Sequence, residues 1–469
     1  MRLTKIVATI GPACDAPETL EAMIRAGVNV ARVNLSHGTH AEHAARIARV
    51  RAAAERCGVP VAIMIDTKGP EVRTAPLAEE PVVLFAGDPF TLTVDGSPAT
   101  RSGTSVTHAG LPKEVPVGAT ILIDDGQIEL RAVAARPGAL VCEVVCGGEL
   151  GGRKSVHVQG ARLSLEALSD ADRADLAFAA RQDADWIAAS FVRTADDVVN
   201  IRDTIRRHRG EIPILAKIED PDAVANLDAI LAVSDGAMVA RGDLGVLLPV
   251  GEVPLVQKRV IRETVSRGKP VVTATQMLDS MERNPRPTRA EASDVANAIF
   301  DGTSAVMLSG ETAGGRHPVA SVRTMVELAR QAEPALGDYG DLQRIEMPHS
   351  ENVTEAVAES AVALARELHA AAIVSLTETG STSRFVSKYR PPCPILAITA
   401  SPKVQRRLTL SWGVTPLLHP PGPDDERVRF AIAWASKHGV TRIGDALVVT
   451  AGVAGAPGST NLIRVVLVE

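Results

Sequence analysis

The sequence predicts an α/β protein: a (β/α)8 TIM-type barrel, interrupted by an all-β lid domain and followed by a C-terminal α/β domain. Three observations carry this. Eight short apolar runs recur, each connected to the next through a segment of helical periodicity. The alternation breaks once, over about Gly69–Gly160, for period-two runs rich in Gly and Pro. After Gly337 a polar stretch makes a linker, and a shorter α/β segment closes the chain. The expected divisions are a barrel over 1–69 and 160–337, a lid over 70–159 and a C-terminal domain over 350–469.

Taken in order, the expected strands are Lys5–Ile10, Asn29–Leu35, Val61–Ile65, Trp186–Val192, Ile212–Ile218, Gly236–Ala240, Pro270–Thr275 and Ala305–Leu308. Their apolar character on both faces is that of parallel strands covered by helices. Helical patterns join them at Ala16–Ala26, Ala41–Arg56, Asp170–Arg181, Thr194–Arg207, Val253–Arg267, Arg289–Phe300 and Pro318–Gln331. Another runs from Pro221 to about Val233, with Asp220 as its cap. One strand more or fewer would leave an open doubly wound sheet. Within the interruption, PVVLFAG, FTLTVDG, TILIDDGQIEL and ALVCEVVC alternate as strands, and Asp124-Asp125-Gly126 reads as a hairpin turn. The lid leaves from the carboxyl end of the third strand and so closes over the barrel mouth. The C-terminal unit opens with a helix at Thr354–His369, a strand at Ala371–Leu376 and a Thr/Ser/Gly loop at Thr377–Thr382.

Composition excludes several classes of function. A net charge of −6, aromatics at 3% and no basic run argue against a nucleic-acid partner. No apolar stretch reaches 18 residues and the N-terminus lacks a cleavable hydrophobic segment, which argues against a membrane and for the cytoplasm. The five cysteines (14, 57, 142, 146, 393) are scattered, and Cys142 and Cys146 fall on one face of a strand. They read as reduced core thiols.

The chemistry concentrates at the carboxyl ends of the strands, where barrel sites lie. Strand two ends in Arg32, Asn34, Ser36 and His37, strand three in Asp66, Thr67 and Lys68. Strands five and six contribute Lys217, Glu219, Arg241, Gly242 and Asp243, strand seven Thr275 and Gln276, strand eight Ser309 and Glu311. Lys217 and Glu219 point to the same side of an extended chain, where a structural ion pair is the plain reading. Only ten of the 50 basic residues are lysines, so a lysine placed straight after a buried strand asks for a reason. Glu219 and Asp243 suit a hard divalent cation, Mg²⁺ or Mn²⁺. Asn34, Ser36, Asp66 and Thr67 suit a monovalent cation or a hydrogen-bond network. There is no Walker lysine loop and no kinase glycine loop.

The segments TKIVATIGPA, ARVNLSHG, DTKGPEVRT, KIED, GAMVARGDLG, ATQML, PTRAEASDVANAIFDG and VMLSGET, in this order, resemble the pyruvate kinase family along essentially the whole chain. The resemblance implies transfer of the phosphoryl group of phosphoenolpyruvate to ADP, with Mg²⁺ and K⁺ as cofactors and a homotetramer as the assembly. It implies Glu219 and Asp243 as Mg²⁺ ligands and Lys217 on the transferring phosphoryl group and the enolate. Arg32 falls on the phosphoryl group, the Gly242–Asp243 backbone on the substrate carboxylate, and Thr275 on the protonated face. Asn34, Ser36, Asp66 and Thr67 match K⁺ ligands. Glu71, with Lys68 and Thr74 nearby, matches the K⁺-requiring branch, whose counterpart carries lysine there. Asn34, His37, Arg73 and Lys154 match nucleotide contacts.

The chain departs from the family pattern at RKSVHVQG, through Ser155, His157 and Gln159, and at Gly314. The loop with Thr377, Thr379, Gly380, Ser381 and Thr382 resembles a cradle for a phosphorylated effector, although Glu378 adds a negative charge and Arg384 is its one nearby cation. Capping of the following helix is the competing reading. Two other functions are open to such a barrel: a Mg²⁺-dependent pyruvate aldolase or lyase, and an inactive effector-binding homologue. The lid and Lys217 argue against the first, and the complete set of matched residues against the second.

Overall fold

A computed structural model describes residues 1–78, 82–166, 168–342, 352–452 and 460–469. Part of the expected linker, 343–350, lies outside the described residues.

Eight parallel strands close into a barrel: Lys5–Thr9, Val30–Asn34, Ala62–Asp66, Trp186–Ala189, Ile214–Ile218, Gly236–Ala240, Val271–Ala274 and Ala305–Leu308. Each pairs with the next in sequence, and the eighth closes on the first through Lys5↔Ala305 and Ile6↔Val306. Closure follows from the sequence, since every strand is apolar on both faces and each crossover is a helix. The interior is a packed plug of Val7, Val30, Met64, Leu215, Met238 and Met307, among others, rather than a pore. Four of the helices start at a Ser or Thr whose side chain is reciprocated by an acid three residues on: Thr39/Glu42, Ser169/Asp172, Thr194/Asp197 and Thr288/Glu291. These capping boxes fix where the chain turns from each loop into its helix.

Two local expectations are corrected. The helix expected over 221–233 is two helices, Pro221–Ala225 and Leu227–Val233, each side of Asn226 at φ −95°, ψ 15°. The Asn226 amide is drawn aside to donate to the Arg193 carbonyl at 2.9 Å, and a short polar side chain bonding locally competes with a continuous helix. Cys146 is exposed and Cys57 half-buried, so neither is a core thiol. In the strand Ala139–Cys146, Leu140, Cys142 and Val144 are buried alternately. The register then slips, Leu130 facing Val144 and Glu129 facing Cys146, and this bulge turns Cys146 off the core face.

The inserted lid is a six-stranded sheet and a two-stranded sheet around a core of its own, with Phe90, Leu92, Ile121, Leu130 and Leu140 fully buried. It also holds a one-turn helix, Leu111–Glu114, that the period-two reading passed over. Asp124 and Asp125 sit at φ 56° and 54° between the strands Thr120–Ile123 and Ile128–Arg136, as the hairpin turn requires. The lid is tied to the barrel mouth by Gln159 Nε2, which donates to the Val246 carbonyl at 2.9 Å. The Arg193 guanidinium adds bonds to the carbonyls of Leu163 and Leu165.

The C-terminal domain is a five-stranded sheet, four strands parallel and the last, Thr460–Leu467, antiparallel. It docks on the foot of the barrel, away from the mouth. Leu410 joins the interior plug from below. Trp186 Nε1 donates to the Arg407 carbonyl, and Lys5 Nζ to that of Val414. Arg406 bridges Asp183 and Asp185 at 2.9 and 2.8 Å. Asp185 has no exposed surface, and its other oxygen accepts from Ile63 N at 2.8 Å. Burial raises the Asp185 pKa in spite of Arg406. Removing Arg406 would therefore strand a buried carboxylate at the domain seam. Arg406→Ala is expected to destabilise the protein by up to about 3 kcal/mol, read as a lowered Tm. Arg406→Ala with Asp185→Asn is expected to recover part of the loss, and no recovery would mean that the charge is not what costs.

Candidate active site

The polar residues at the barrel mouth form one connected network centred on Asp66. Asp66 is buried, and neighbouring charges claim both of its oxygens. Arg32 Nε donates to Oδ2 at 2.6 Å, while Lys217 Nζ and Ser190 Oγ reach Oδ1, each at 3.3 Å. Arg32 continues to Thr9 Oγ1 at 2.9 Å. Lys217 Nζ also lies 2.7 Å from Ser190 Oγ and 2.7 Å from Glu219 Oε1. Burial opposes ionisation of Asp66, but Arg32 and Lys217 outweigh it and hold the pKa below the ordinary value. Burial likewise opposes the charge on Lys217, and Asp66 with Glu219 overcomes it, raising the lysine pKa. Both residues are therefore ionised at neutral pH. The Lys217–Glu219 ion pair is present, yet it is one edge of a larger set rather than an isolated bridge.

Glu219 and Asp243 stand differently. Burial is the main cause in each, with further carboxylates adding to it, and the Glu219 pKa is pushed up to about 7. Glu219 Oε2 accepts from Phe191 N at 2.6 Å, and its buried Oε1 is met by Lys217 Nζ at 2.7 Å. Two carboxylates whose charge burial disfavours fit a divalent cation that would offset that charge. Among the described residues no group of three or more His, Cys, Asp or Glu could hold a metal ion. Asn34 faces Asp66 in register across strands two and three, and its Oδ1 accepts from Ser36 N at 3.1 Å. Thr67 O accepts from Ser190 Oγ at 2.7 Å. Carbonyl oxygens with a second lone pair, beside one carboxylate, fit a weakly charged cation.

Strand seven ends in backbone strain. Thr275 and Gln276 both have positive φ, 67° and 54°, unfavourable for a β-branched residue. Arg241 holds them there. Its Nη2 donates to the Thr275 carbonyl at 2.7 Å, its Nε to the carbonyls of Ala274 and Thr275, and Asp294 pairs with Nη1 at 2.7 Å. Arg241, expected among the polar residues at the strand ends, is therefore a clamp on the backbone. Thr275 Oγ1 accepts from Gly242 N at 2.8 Å. Ser309 and Glu311 serve the scaffold as well: Glu311 is buried and accepts from Leu278 N and Ser309 N.

Between lid and mouth lies a cleft of about 550 Å³, lined by His37, Glu71, Arg73, Asp124, Lys154 and Asp243 among others. His37, Arg73 and Lys154 are thus brought together, while Asn34 stays outside this lining. Arg73 Nε donates to Glu71 Oε2 at 2.6 Å, and Lys154 pairs with Asp124 at 3.0 Å. The departures in RKSVHVQG have local roles. Ser155 Oγ donates to Asp125 Oδ1 at 3.0 Å, Gln159 is the tether to Val246, and burial lowers the His157 pKa. A side chain at Gly314 would meet open space. At the loop 377–382, Thr377 Oγ1 accepts from Gly380 N and Thr382 Oγ1 bonds Thr460 Oγ1, so both are spent internally. Thr379 and Ser381 hydroxyls pair with each other at 3.1 Å.

Sequence reasoning missed Thr9 and Ser190. Each follows or ends an apolar strand, as do the residues it did find, but strands one and four end in a lone hydroxyl rather than in a charge. In Ile187–Ser190 the single hydroxyl after three apolar residues was the available signal.

Comparison with known proteins matches residues 1–322 to the family model for the pyruvate kinase barrel domain and residues 355–466 to that for the pyruvate kinase alpha/beta domain. The chain is 49% identical over 469 residues to pyruvate kinase of Geobacillus stearothermophilus, covering 99% of this chain and 80% of that one. It is 47% identical over 472 residues to that of Bacillus licheniformis, covering 100% and 81%. Against that of Clostridium acetobutylicum it is 44% identical over 474 residues, with 100% of each covered.

The clamp on Thr275 can be tested apart from any direct role in chemistry. Asp294→Ala is expected to loosen Arg241 and lower kcat by about tenfold to a hundredfold, with a smaller change in KM. Equal kinetics in the variant would show that Thr275 holds its position without the clamp.

Proposed function

The chain belongs to the pyruvate kinase family and transfers the phosphoryl group of phosphoenolpyruvate to ADP, and on that premise we propose how its own residues divide the work. The observation that carries the assignment is the placement of Lys217. A fully charged ammonium is fixed by Asp66, Ser190 and Glu219 at the carboxyl end of strand five, with 12% of its side-chain surface still exposed. Such a charge needs no reorganisation when negative charge shifts from the phosphoryl group to the departing enolate. Arg32, buried beside it, adds a second fixed cation for the phosphoryl oxygens.

Glu219 and Asp243 would hold Mg²⁺, which when bound supplies charge neutralisation between enolpyruvate and phosphoryl oxygens. The substrate carboxylate would be received at the Gly242–Asp243 backbone. Gly242 N now donates to Thr275 Oγ1 at 2.8 Å, and the Thr275 hydroxyl donates to the Ala274 carbonyl at 2.6 Å, so an incoming carboxylate would take the N–H and leave the hydroxyl oxygen free to accept. Thr275 would then turn its O–H from the Ala274 carbonyl to pass a proton through water to the enolate face. ADP would occupy the cleft beneath the lid, with His37, Arg73 and Lys154 toward its phosphates. Asn34, Ser36, Asp66 and Thr67 would hold K⁺, with Glu71 setting the requirement for it.

Lys217→Met is expected to retain phosphoenolpyruvate binding while losing about 10³-fold or more in kcat, measured as pyruvate formation with ADP and Mg²⁺. Turnover near that of the parent would remove Lys217 from its role. Replacing K⁺ by Na⁺ or a bulky cation is expected to collapse turnover. Glu71→Lys, which places an ammonium where the monovalent charge acts, is expected to make turnover much less sensitive to the exchange. An unchanged K⁺/Na⁺ ratio in that variant would overturn the role given to Glu71.

A further inference from the structure

We propose that one small inorganic anion, of the charge and size of chloride, binds in the seam between the barrel foot and the C-terminal domain, held by Arg390 and Ser411. The seam contains a narrow cleft lined by Lys269 just before strand seven, Ser304 just before strand eight, and Arg384, Arg390, Ser411 and Trp412 from the C-terminal domain. No carboxylate lines it among the described residues.

Arg390 is the centre of the argument. It is only 4% exposed, and it has no carboxylate partner among the described residues. Nη2 donates to the Gly302 carbonyl at 2.6 Å and lies 3.4 Å from Ser304 Oγ, and the guanidinium sits 4.6 Å over the Trp412 ring. Nε and Nη1 are buried without a hydrogen-bond partner. Ser411 Oγ, lining the same cleft, is buried and unpartnered too. A buried cation with two idle donor nitrogens is costly unless a counter-charge meets it. Burial pushes the Arg390 pKa down to about 9, the direction of an uncompensated charge, though the group remains protonated at neutral pH.

The neighbouring cations do not share the same need. Lys388 pairs with Glu355, and Lys269 donates to the carbonyls of Leu231 and Ser234. Arg384 feels Asp235, but that carboxylate is bound by Arg202 at 2.8 Å. Lys269 has its donors satisfied but not its charge, so the surplus positive charge around the cleft lies on Arg390, Arg384 and Lys269. Size then narrows the choice of ligand. The interior of the cleft is small, about 10 Å³, which suits a single small ion better than a phosphate ester. A single water would satisfy donors but leave the charge, whereas a monatomic anion answers both. The location is opposite to the catalytic mouth and at the far end of the helix Ser381–Lys388 from the 377–382 loop. Such an ion would join the two domains rather than take part in phosphoryl transfer.

The test uses the full-length protein crystallised with sodium bromide, and thermal melts in sodium chloride against sodium gluconate at equal ionic strength. The expected result is a bromide anomalous peak beside Arg390 Nε and Nη1 and Ser411 Oγ. A saturable rise of Tm with chloride should accompany it, reduced in Ser411→Ala and lost in Arg390→Met, with kcat of both variants within about twofold of the parent. Density at the site without an anomalous signal would identify a water and overturn the proposal. So would a chloride response that is the same in Ser411→Ala and the parent. The bromide map and Ser411→Ala decide the matter even should Arg390→Met fail to fold.

Discussion

The barrel mouth depends on one buried carboxylate serving two cations. Asp66 alone would cost several kcal/mol to bury ionised, and so would Arg32 or Lys217. Together, with Ser190 and Thr9 taking up remaining valences, they form a charged set that survives desolvation. The strands explain why they meet. Asp66 faces Asn34 on one side and Ala188 on the other in parallel register, so the ends of strands two, three and four are level. Rigid placement of charge is the physical content of catalysis in a reaction that moves a phosphoryl group and little else.

The fold was legible because its signals are repeated. Eight two-sided apolar runs, seven or more helical crossovers and a single change of texture admit few topologies, and the capping boxes stand in the sequence as THAE, SDAD, TADD and TRAE. The failures are where a tertiary partner decides. Asn226 leaves its helix for a carbonyl 33 residues away, and Cys146 turns outward at a bulge that alternation cannot show. The candidate site was legible at six strand ends through polar residues following apolar ones. What those residues do to each other was not. Arg241 and Asp243 are neighbours in sequence, yet one is spent on the backbone of strand seven while the other faces the cleft.

The C-terminal domain meets the barrel at the amino ends of its strands. Asp185, beneath strand four, is bonded to Arg406, and Ser190, at the top of the same strand, is bonded to Lys217. A stiff, fully hydrogen-bonded strand thus has one end in each neighbourhood. Leu410 and Trp186 fill the bottom of the interior plug, so the two domains share packing as well as charge.

The left-handed pair Thr275–Gln276 has a further consequence for how this protein tolerates change. Glycine or asparagine would relieve the strain at either position, and a search for thermostable variants by local rules alone would select them first. The gain would come from letting the end of strand seven relax, and the threonine hydroxyl now aimed at Gly242 would relax with it. With Thr275 in the role proposed for it, durability and turnover are set against each other at two adjacent residues, whereas the barrel away from its mouth carries no such conflict.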